Sequence, residues 1–172
     1  MSSDRLASDD PTDGAALPPP GPETEGQPGP EHETELEPEP ECWVFDVDGC
    51  LIDSLTGSSL RPGARAILEH LSGEGHQVIL WSAGGDAYAA VRAREFGVDH
   101  LVEGFFSKEG RDVGGYYLTA HLPLGQGHVV FVDDRPEDLD RGRLDVLAVS
   151  PYLSDDPFDR GLRHVARRAG LV

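Results

Sequence analysis

Short apolar runs alternate with segments of helical spacing along the chain after residue 41. Continuous apolar runs predict buried strands at residues 42–47, 77–82, 128–134 and 144–150. Helical spacing, with start and stop residues, predicts helices after Pro62, from Asp86 to Gly97, near 136–140 and over 157–170. The pattern is weaker in 98–127, where it predicts a short strand at 103–107 and a helix around 114–122.

This order of elements predicts an α/β fold. Strands that are apolar throughout and alternate with helices are typical of a central, mostly parallel sheet covered on both faces, giving three layers. In such folds ligands bind beyond the carboxyl ends of the strands. Five polar residues end the apolar runs at that edge: Asp46, Asp48, Ser82, Asp133 and Asp134.

Composition divides the chain into two parts. Residues 1–41 hold twelve acidic residues against one Arg, which is −11 of the net charge of −18, together with runs of proline. Such a segment lacks the apolar surface that offsets the entropy of ordering. We therefore expect a disordered acidic tail over 1–41 and one folded domain over 42–172.

The same composition argues against several functions. The acidic balance leaves no basic stripe for nucleic acid, and no apolar run approaches the length of a membrane span. The N-terminus shows neither a basic start nor an apolar segment, so we expect no secretory signal. Cys42 and Cys50 follow no metal or disulfide spacing, which favours unpaired thiols and a cytoplasmic protein.

The clustered carboxylates indicate a metal site. Asp46 and Asp48 are two residues apart, so their side chains point to the same side of an extended segment. Together with Asp133 and Asp134 they would repel each other unless a cation neutralised them, and Mg²⁺ suits oxygen ligands of this kind. A calcium-binding EF-hand loop does not fit, because the glycine comes fourth and no Glu follows at position twelve.

Two further residues indicate that the ligand carries a phosphoryl group. Ser82 offers a hydroxyl beside the glycine-rich residues 83–85, whose backbone can approach a ligand closely. Lys108 is the only lysine among 14 basic residues, so a single ammonium group stands in a chain that otherwise uses arginine. A magnesium site, a hydroxyl and this ammonium together predict a phosphate pocket.

The segments "DVDGCL", "VILWS", Lys108 and "VVFVDD" occur in the order and spacing of four motifs of the haloacid dehalogenase-like (HAD) phosphohydrolase superfamily. Over about residues 42–150 the chain resembles that superfamily. The resemblance implies a HAD-like Rossmannoid fold and a Mg²⁺-dependent phosphomonoesterase. Asp46 resembles its nucleophile, which forms an aspartyl-phosphate, and Asp48 its general acid/base. Ser82 and Lys108 would bind phosphate.

The resemblance also implies a metal ligand set. Asp46 and the backbone carbonyl of Asp48 would hold Mg²⁺ with Asp133, Asp134 or both. The acidic motif can also be aligned with Asp134 and Asp138, so the direct ligand stays open between Asp133 and Asp134.

Many relatives insert a cap domain between the first and second, or second and third, motifs. Here Asp46 and Ser82 are only 36 positions apart, and Ser82 and Lys108 only 26. The chain therefore resembles a capless (C0-type) member with an open site, in which loop 51–59 is the one flap. We expect a phosphorylated substrate, either a small molecule or a phosphoprotein, while the oligomeric state stays open.

Three other functions compete with a phosphatase. The chain could be a non-catalytic HAD-fold interaction protein that uses its tail for contacts, or a phosphotransferase with the same aspartyl-phosphate. A phosphorelay receiver domain also combines an acidic cluster with a lysine. In receivers the acidic pair comes first and the lysine lies on the last strand, whereas Lys108 precedes Asp133.

Overall fold

Five parallel strands form one sheet in the computed structural model of the protein, which describes residues 39–172. The strands are β1 (Cys42–Phe45), β2 (Gln77–Ser82), β3 (Gly104–Ser107), β4 (Val129–Asp133) and β5 (Asp145–Ala148), in the spatial order β3-β2-β1-β4-β5. The predicted strands are confirmed. The acidic tail predicted for 1–41 lies outside the described residues, apart from its last three positions.

Three helices connect or follow the strands. They are α1 (Ala64–Gly73), α2 (Asp86–Glu95) and α3 (Arg163–Arg168), and single 3₁₀ turns occur at Asp99–Leu101 and Pro136–Asp138. The first helix starts two residues after Pro62, because Gly63 at its N-cap adopts a left-handed conformation with φ 86°. Among the described helices, none has both the length and the apolar composition that a bilayer crossing requires.

One face of the sheet packs against all three helices. Trp43 and Phe45 point to this face from β1, and Ile67 and Leu71 of α1 and Val165 of α3 are buried in the same cluster. Alternate strand residues point to the opposite face, as the period of a β-strand requires. The continuous apolar runs of the sequence are explained by burial on both faces.

The other face is covered without a helix. Val44, Ile79, Trp81 and Phe131 pack there against Leu122 and Leu139. The ring of Tyr117 lies edge-on to Trp81, at 5.8 Å between ring centres.

The predicted helix at 114–122 is wrong, since this stretch consists of turns and an isolated bridge between Arg111 and Tyr117. Local hydrogen bonds explain the difference. The Asp112 carboxylate accepts the backbone N–H groups of Gly114 (2.8 Å) and Tyr116 (3.1 Å), and Gly115 adopts φ 84°. Aspartate side chains that bond to nearby backbone compete with helix formation, and glycine weakens it further.

The strand order determines where the polar strand ends meet. β1 lies in the centre, paired in parallel with β2 on one side and β4 on the other. The register aligns Phe45 with Leu80 and with Val132, so the three strands end at the same level. Residues that follow these positions therefore converge on one edge of the sheet.

Candidate active site

Lys108 lies at the centre of the carboxylate cluster. Its Nζ donates hydrogen bonds to Asp46 Oδ1 at 2.6 Å and to Asp133 Oδ2 at 2.7 Å. The side chain is only 5 % exposed, and its ammonium group lies 5.3 Å from the ring centre of Trp81 and 5.6 Å from that of Tyr117. Carboxylates and aromatic faces both stabilise a buried cation. The residues directly after β1 and β3 thus meet the last residue of β4 in one charged group.

The charges in this group alter one another. Burial, opposed by Lys108 and reinforced by Asp133, raises the pKa of Asp46 to about 7. Burial alone would lower the pKa of Lys108, but the Asp46 and Asp133 carboxylates raise it above its usual range. Lys108 is therefore a permanent cation, and any further positive charge at the cluster favours ionised Asp46.

The cluster has the donors of a hard-metal site. One carboxylate oxygen from each of Asp46, Asp133 and Asp134 lies within 4.8 Å of the others. Burial and then the charge of Asp133 raise the pKa of Asp134. Three carboxylates against one ammonium leave an excess of negative charge, and oxygen donors suit Mg²⁺. The residues present therefore fit a divalent cation.

The two adjacent aspartates differ in what their oxygens contact. Asp133 is buried, with Oδ2 bonded to Lys108 and Oδ1 accepting the backbone N–H of Arg135 at 2.8 Å. Asp134 is half-buried and faces the cavity described below. Its carboxylate lies over Gly49, where a Cβ atom would overlap it, and Gly49 also adopts φ 82°. Glycine at position 49 thus makes room for the Asp134 carboxylate.

A cavity of about 440 Å³ opens above these strand ends. Four residues predicted for the site line it: Asp46, Asp48, Lys108 and Asp134. The rest of its lining combines Ser54, Ala83, Tyr117, Pro151 and Leu153 with the charged residues Arg135, Glu137 and Asp138.

Ser82 lies at the same edge but is fully buried, and the residue that lines the cavity there is its neighbour Ala83. The Ser82 hydroxyl accepts the backbone N–H of Gly84 at 3.0 Å, and its carbonyl accepts that of Lys108 at 2.9 Å. Ser82 thereby joins the end of β2 to the start of the Lys108 segment.

The loop 51–59 is organised around a buried carboxylate. Asp53 Oδ1 accepts hydrogen bonds from Thr56 N (2.7 Å), Thr56 Oγ1 (2.8 Å) and Gly57 N (3.2 Å). Its Oδ2 accepts them from Ser58 N (2.9 Å), Ser59 N (2.9 Å) and Ser59 Oγ (3.0 Å). Burial opposes ionisation, but these donors hold the pKa of Asp53 well below its usual range.

A buried arginine fixes the chain after the proposed nucleophile. Arg61 is 1 % exposed and bonds to the carbonyls of Cys50 (3.2 Å) and Ser150 (2.8 Å). It also forms a two-point ion pair with Asp159, at 2.6 and 3.1 Å. Arg61 therefore ties the loop after β1 to the segment before α3.

Sequence reasoning missed Asp53, Arg61 and Tyr117 as parts of the site or its support. It also missed Tyr88, whose hydroxyl donates a hydrogen bond to Asp48 Oδ1. An aspartate followed by Thr, Gly and Ser is a turn signal, so Asp53 could have been found. The other three act through contacts distant in sequence, and no local pattern marks them.

Comparison with known proteins supports the fold. No protein-family profile and no curated protein sequence matches this chain. The NMR structure of the core domain of "a putative phosphoglycolate phosphatase" from Streptococcus pneumoniae TIGR4 matches with a TM-score of 0.51 and 15 % identity, covering 79 % of this chain and 99 % of that one. The likeness shows the fold alone, an α/β core domain with a central parallel sheet, as predicted.

Proposed function

We propose that the protein is a Mg²⁺-dependent phosphomonoesterase that acts through an aspartyl-phosphate on Asp46. The observation that carries the proposal is the Lys108 ammonium, held between Asp46 and Asp133 at the floor of an open cavity. A phosphate dianion near a carboxylate nucleophile needs positive charge beside it. The similar structure from Streptococcus pneumoniae is that of "a putative phosphoglycolate phosphatase", which supports the same chemistry.

The proposed reaction has two displacements. A carboxylate oxygen of Asp46 attacks phosphorus, the bond to the leaving oxygen breaks, and Asp48 donates a proton to that oxygen. Water then attacks the aspartyl-phosphate, giving its proton to Asp48, and the bond between phosphorus and Asp46 breaks. Lys108 pairs with phosphate oxygens throughout. Ser82 is buried beside the cavity, so its phosphate-binding role requires a phosphate oxygen to reach its hydroxyl proton past Ala83.

Mg²⁺ would be held by Asp46, Asp134 and the backbone carbonyl of Asp48. Asp134 is the better direct ligand of the adjacent pair, since both oxygens of Asp133 already accept hydrogen bonds. In this proposal Asp133 acts mainly by holding Lys108. When bound, the ion supplies positive charge that offsets the phosphate and the carboxylates.

The substrate is proposed to be a phosphorylated small molecule or a phosphoprotein that reaches an uncovered site. The described residues from Asp46 to Ser82 hold one helix and one strand, and those from Ser82 to Lys108 hold one helix, one 3₁₀ turn and one strand, which supports a capless arrangement. Cys42 and Cys50 are buried free thiols, which supports a reducing compartment such as the cytoplasm.

The test is turnover of a panel of phosphorylated sugars, amino acids, nucleotides and peptides with and without Mg²⁺. We expect release of inorganic phosphate that requires Mg²⁺ and is abolished in Asp46→Asn. Asp99→Asn, which lies before the amino end of β3, is the matched control and should keep full turnover. Transfer to an added alcohol in place of water would indicate a phosphotransferase. No turnover of any compound would contradict the proposal and favour a non-catalytic role.

A further inference from the structure

A tyrosine from α2 reaches the proposed acid/base. The Tyr88 hydroxyl donates a hydrogen bond of 2.5 Å to Asp48 Oδ1. Both side chains are half-buried, and Asp48 lines the cavity. Hydrogen bonds from a neutral donor to a carboxylate are short and stronger than neutral pairs.

Several contacts hold the Tyr88 ring in place. A Cβ atom on Gly84 would lie 2.7 Å from its Cδ1, so glycine at position 84 makes room for the ring. The Arg92 guanidinium lies 5.2 Å from the ring centre. A Cβ atom on Gly57, in the loop that Asp53 organises, would lie 3.6 Å from the Tyr88 hydroxyl. The Tyr88 ring thus lies against Arg92 of α2 and against the turn before α2, and its hydroxyl lies close to loop 51–59.

We infer that Tyr88 is a positioning residue, which holds the Asp48 carboxylate at the angle that proton transfer requires. The inference rests on the proposed function. Oδ1 is occupied by the Tyr88 proton, and Oδ2 accepts no hydrogen bond from the described residues. Oδ2 is therefore the oxygen that gives its proton to the leaving oxygen and later takes one from water. A misplaced catalytic group slows the reaction without weakening substrate binding.

The test compares Tyr88→Phe with the wild type on two substrates. Phenylalanine keeps the ring in its place against Gly84 and Arg92 and removes only the hydroxyl. An alkyl phosphate needs a proton on its leaving oxygen, whereas nitrophenolate departs from nitrophenyl phosphate without one. We expect kcat/KM for the alkyl phosphate to fall about tenfold, and kcat/KM for nitrophenyl phosphate to change less than about twofold. KM for the alkyl phosphate should stay within about twofold.

Two controls separate positioning from a structural role. Tyr116→Phe removes a hydroxyl from a half-buried tyrosine that does not line the cavity, and it should leave kcat/KM for both substrates unchanged. On an Asp48→Ala background, Tyr88→Phe should cause no further loss. An equal fall in kcat/KM for both substrates would overturn the inference, and so would a further fall when Tyr88→Phe is added to Asp48→Ala.

A structural measurement keeps the inference distinct from the proposed function. Crystal structures of the wild type and of Tyr88→Phe should show one Asp48 side-chain conformer in the first and a changed or divided one in the second. Tyr88→Phe with an unmoved Asp48 and unchanged kinetics refutes the inference alone. A wild type that turns over no phosphate ester refutes the proposed function and, with it, a catalytic purpose for this hydrogen bond.

Discussion

Replacing Asp53 by Asn should destabilise the protein, although the two side chains have nearly the same shape. Each Asp53 oxygen accepts two backbone N–H groups and one hydroxyl. The amide NH₂ of asparagine would therefore face two backbone donors whichever way it turned. The hydroxyls of Thr56 and Ser59 can rotate to accept, but the backbone N–H groups cannot.

The size of the effect follows from those two lost bonds. Leaving a buried donor unpaired costs roughly 1–3 kcal/mol, and bonds to a charged acceptor lie at the upper end. Since the loop is at the surface and water can reach part of it, we expect a loss of about 3 kcal/mol in the free energy of unfolding at pH 7. A typical domain has only about 5–15 kcal/mol in total.

The loss should depend on pH in a defined direction. The pKa of Asp53 is lowered in the folded protein, so its stabilising contribution is present above the unfolded pKa of about 3.9 and is lost as pH falls towards the lower folded pKa. The difference between wild type and Asp53→Asn should therefore shrink progressively below about pH 4. Carboxylates common to both proteins cancel in this difference.

Urea unfolding at pH 7 and at pH 3 measures this difference in the free energy of unfolding. The proteins compared are the wild type, Asp53→Asn and the exposed control Asp155→Asn. Asp155→Asn should differ from wild type by less than about 0.5 kcal/mol at both values. A change in Asp53→Asn that is as small as the control at pH 7, or that is the same at pH 3, would refute the assigned role of this carboxylate.

Three further changes have definite expected results. Arg61→Met removes the ion-pair partner of Asp159 and the donor to the Cys50 and Ser150 carbonyls, and should cost about 3–5 kcal/mol, seen as a lower thermal midpoint. An unchanged midpoint would contradict the role of Arg61 in tying the loop after β1 to the segment before α3. Gly49→Ala places a Cβ atom against the Asp134 carboxylate, at a residue whose φ of 82° suits only glycine well. The Mg²⁺ concentration for half-maximal turnover should therefore rise about tenfold, and an unchanged value would argue against Asp134 as a ligand. Removal of residues 1–38 should leave turnover of a small phosphate ester within about twofold; a large loss would show that the tail contributes to the site.

The elements that could be predicted are those in which local pattern and tertiary burial agree. β1 and residues 78–81 and 129–132 of β2 and β4 are continuously apolar because both faces of these strands are covered, and that is visible in sequence. The convergence of Asp46, Asp48, Asp133 and Lys108 on one edge follows from parallel strands with aligned ends. The helix predicted over 114–122 is wrong, because Asp112 and two glycines outweigh the apolar spacing through local hydrogen bonds.

Some features of the site are tertiary and have no sequence signal. Asp133 holds Lys108, whereas its neighbour Asp134 faces the cavity. This difference depends on the directions in which the two side chains point at the end of β4. Tyr88 meets Asp48 across 40 positions, and Arg61 meets Asp159 across 98. Each of these pairs is explained only by the strand order, which brings the β1 loop against α2 and against the segment before α3.

The loop after β1 has no regular secondary structure, so side chains determine its shape and its place. The hydrogen bonds to Asp53 connect residues 53–59 to one another, but they do not attach this loop to the rest of the domain. Swinging is opposed by Arg61 at the far end and by the N–H groups of Ser54 and Leu55, which bond to the carbonyls of Tyr152 and Leu153 at 3.0 and 3.2 Å. Opening would break those contacts together and expose a buried guanidinium. Loop 51–59, which contributes Ser54 to the cavity lining, is therefore held at both of its ends, and Gly57 stays close to the hydroxyl of Tyr88.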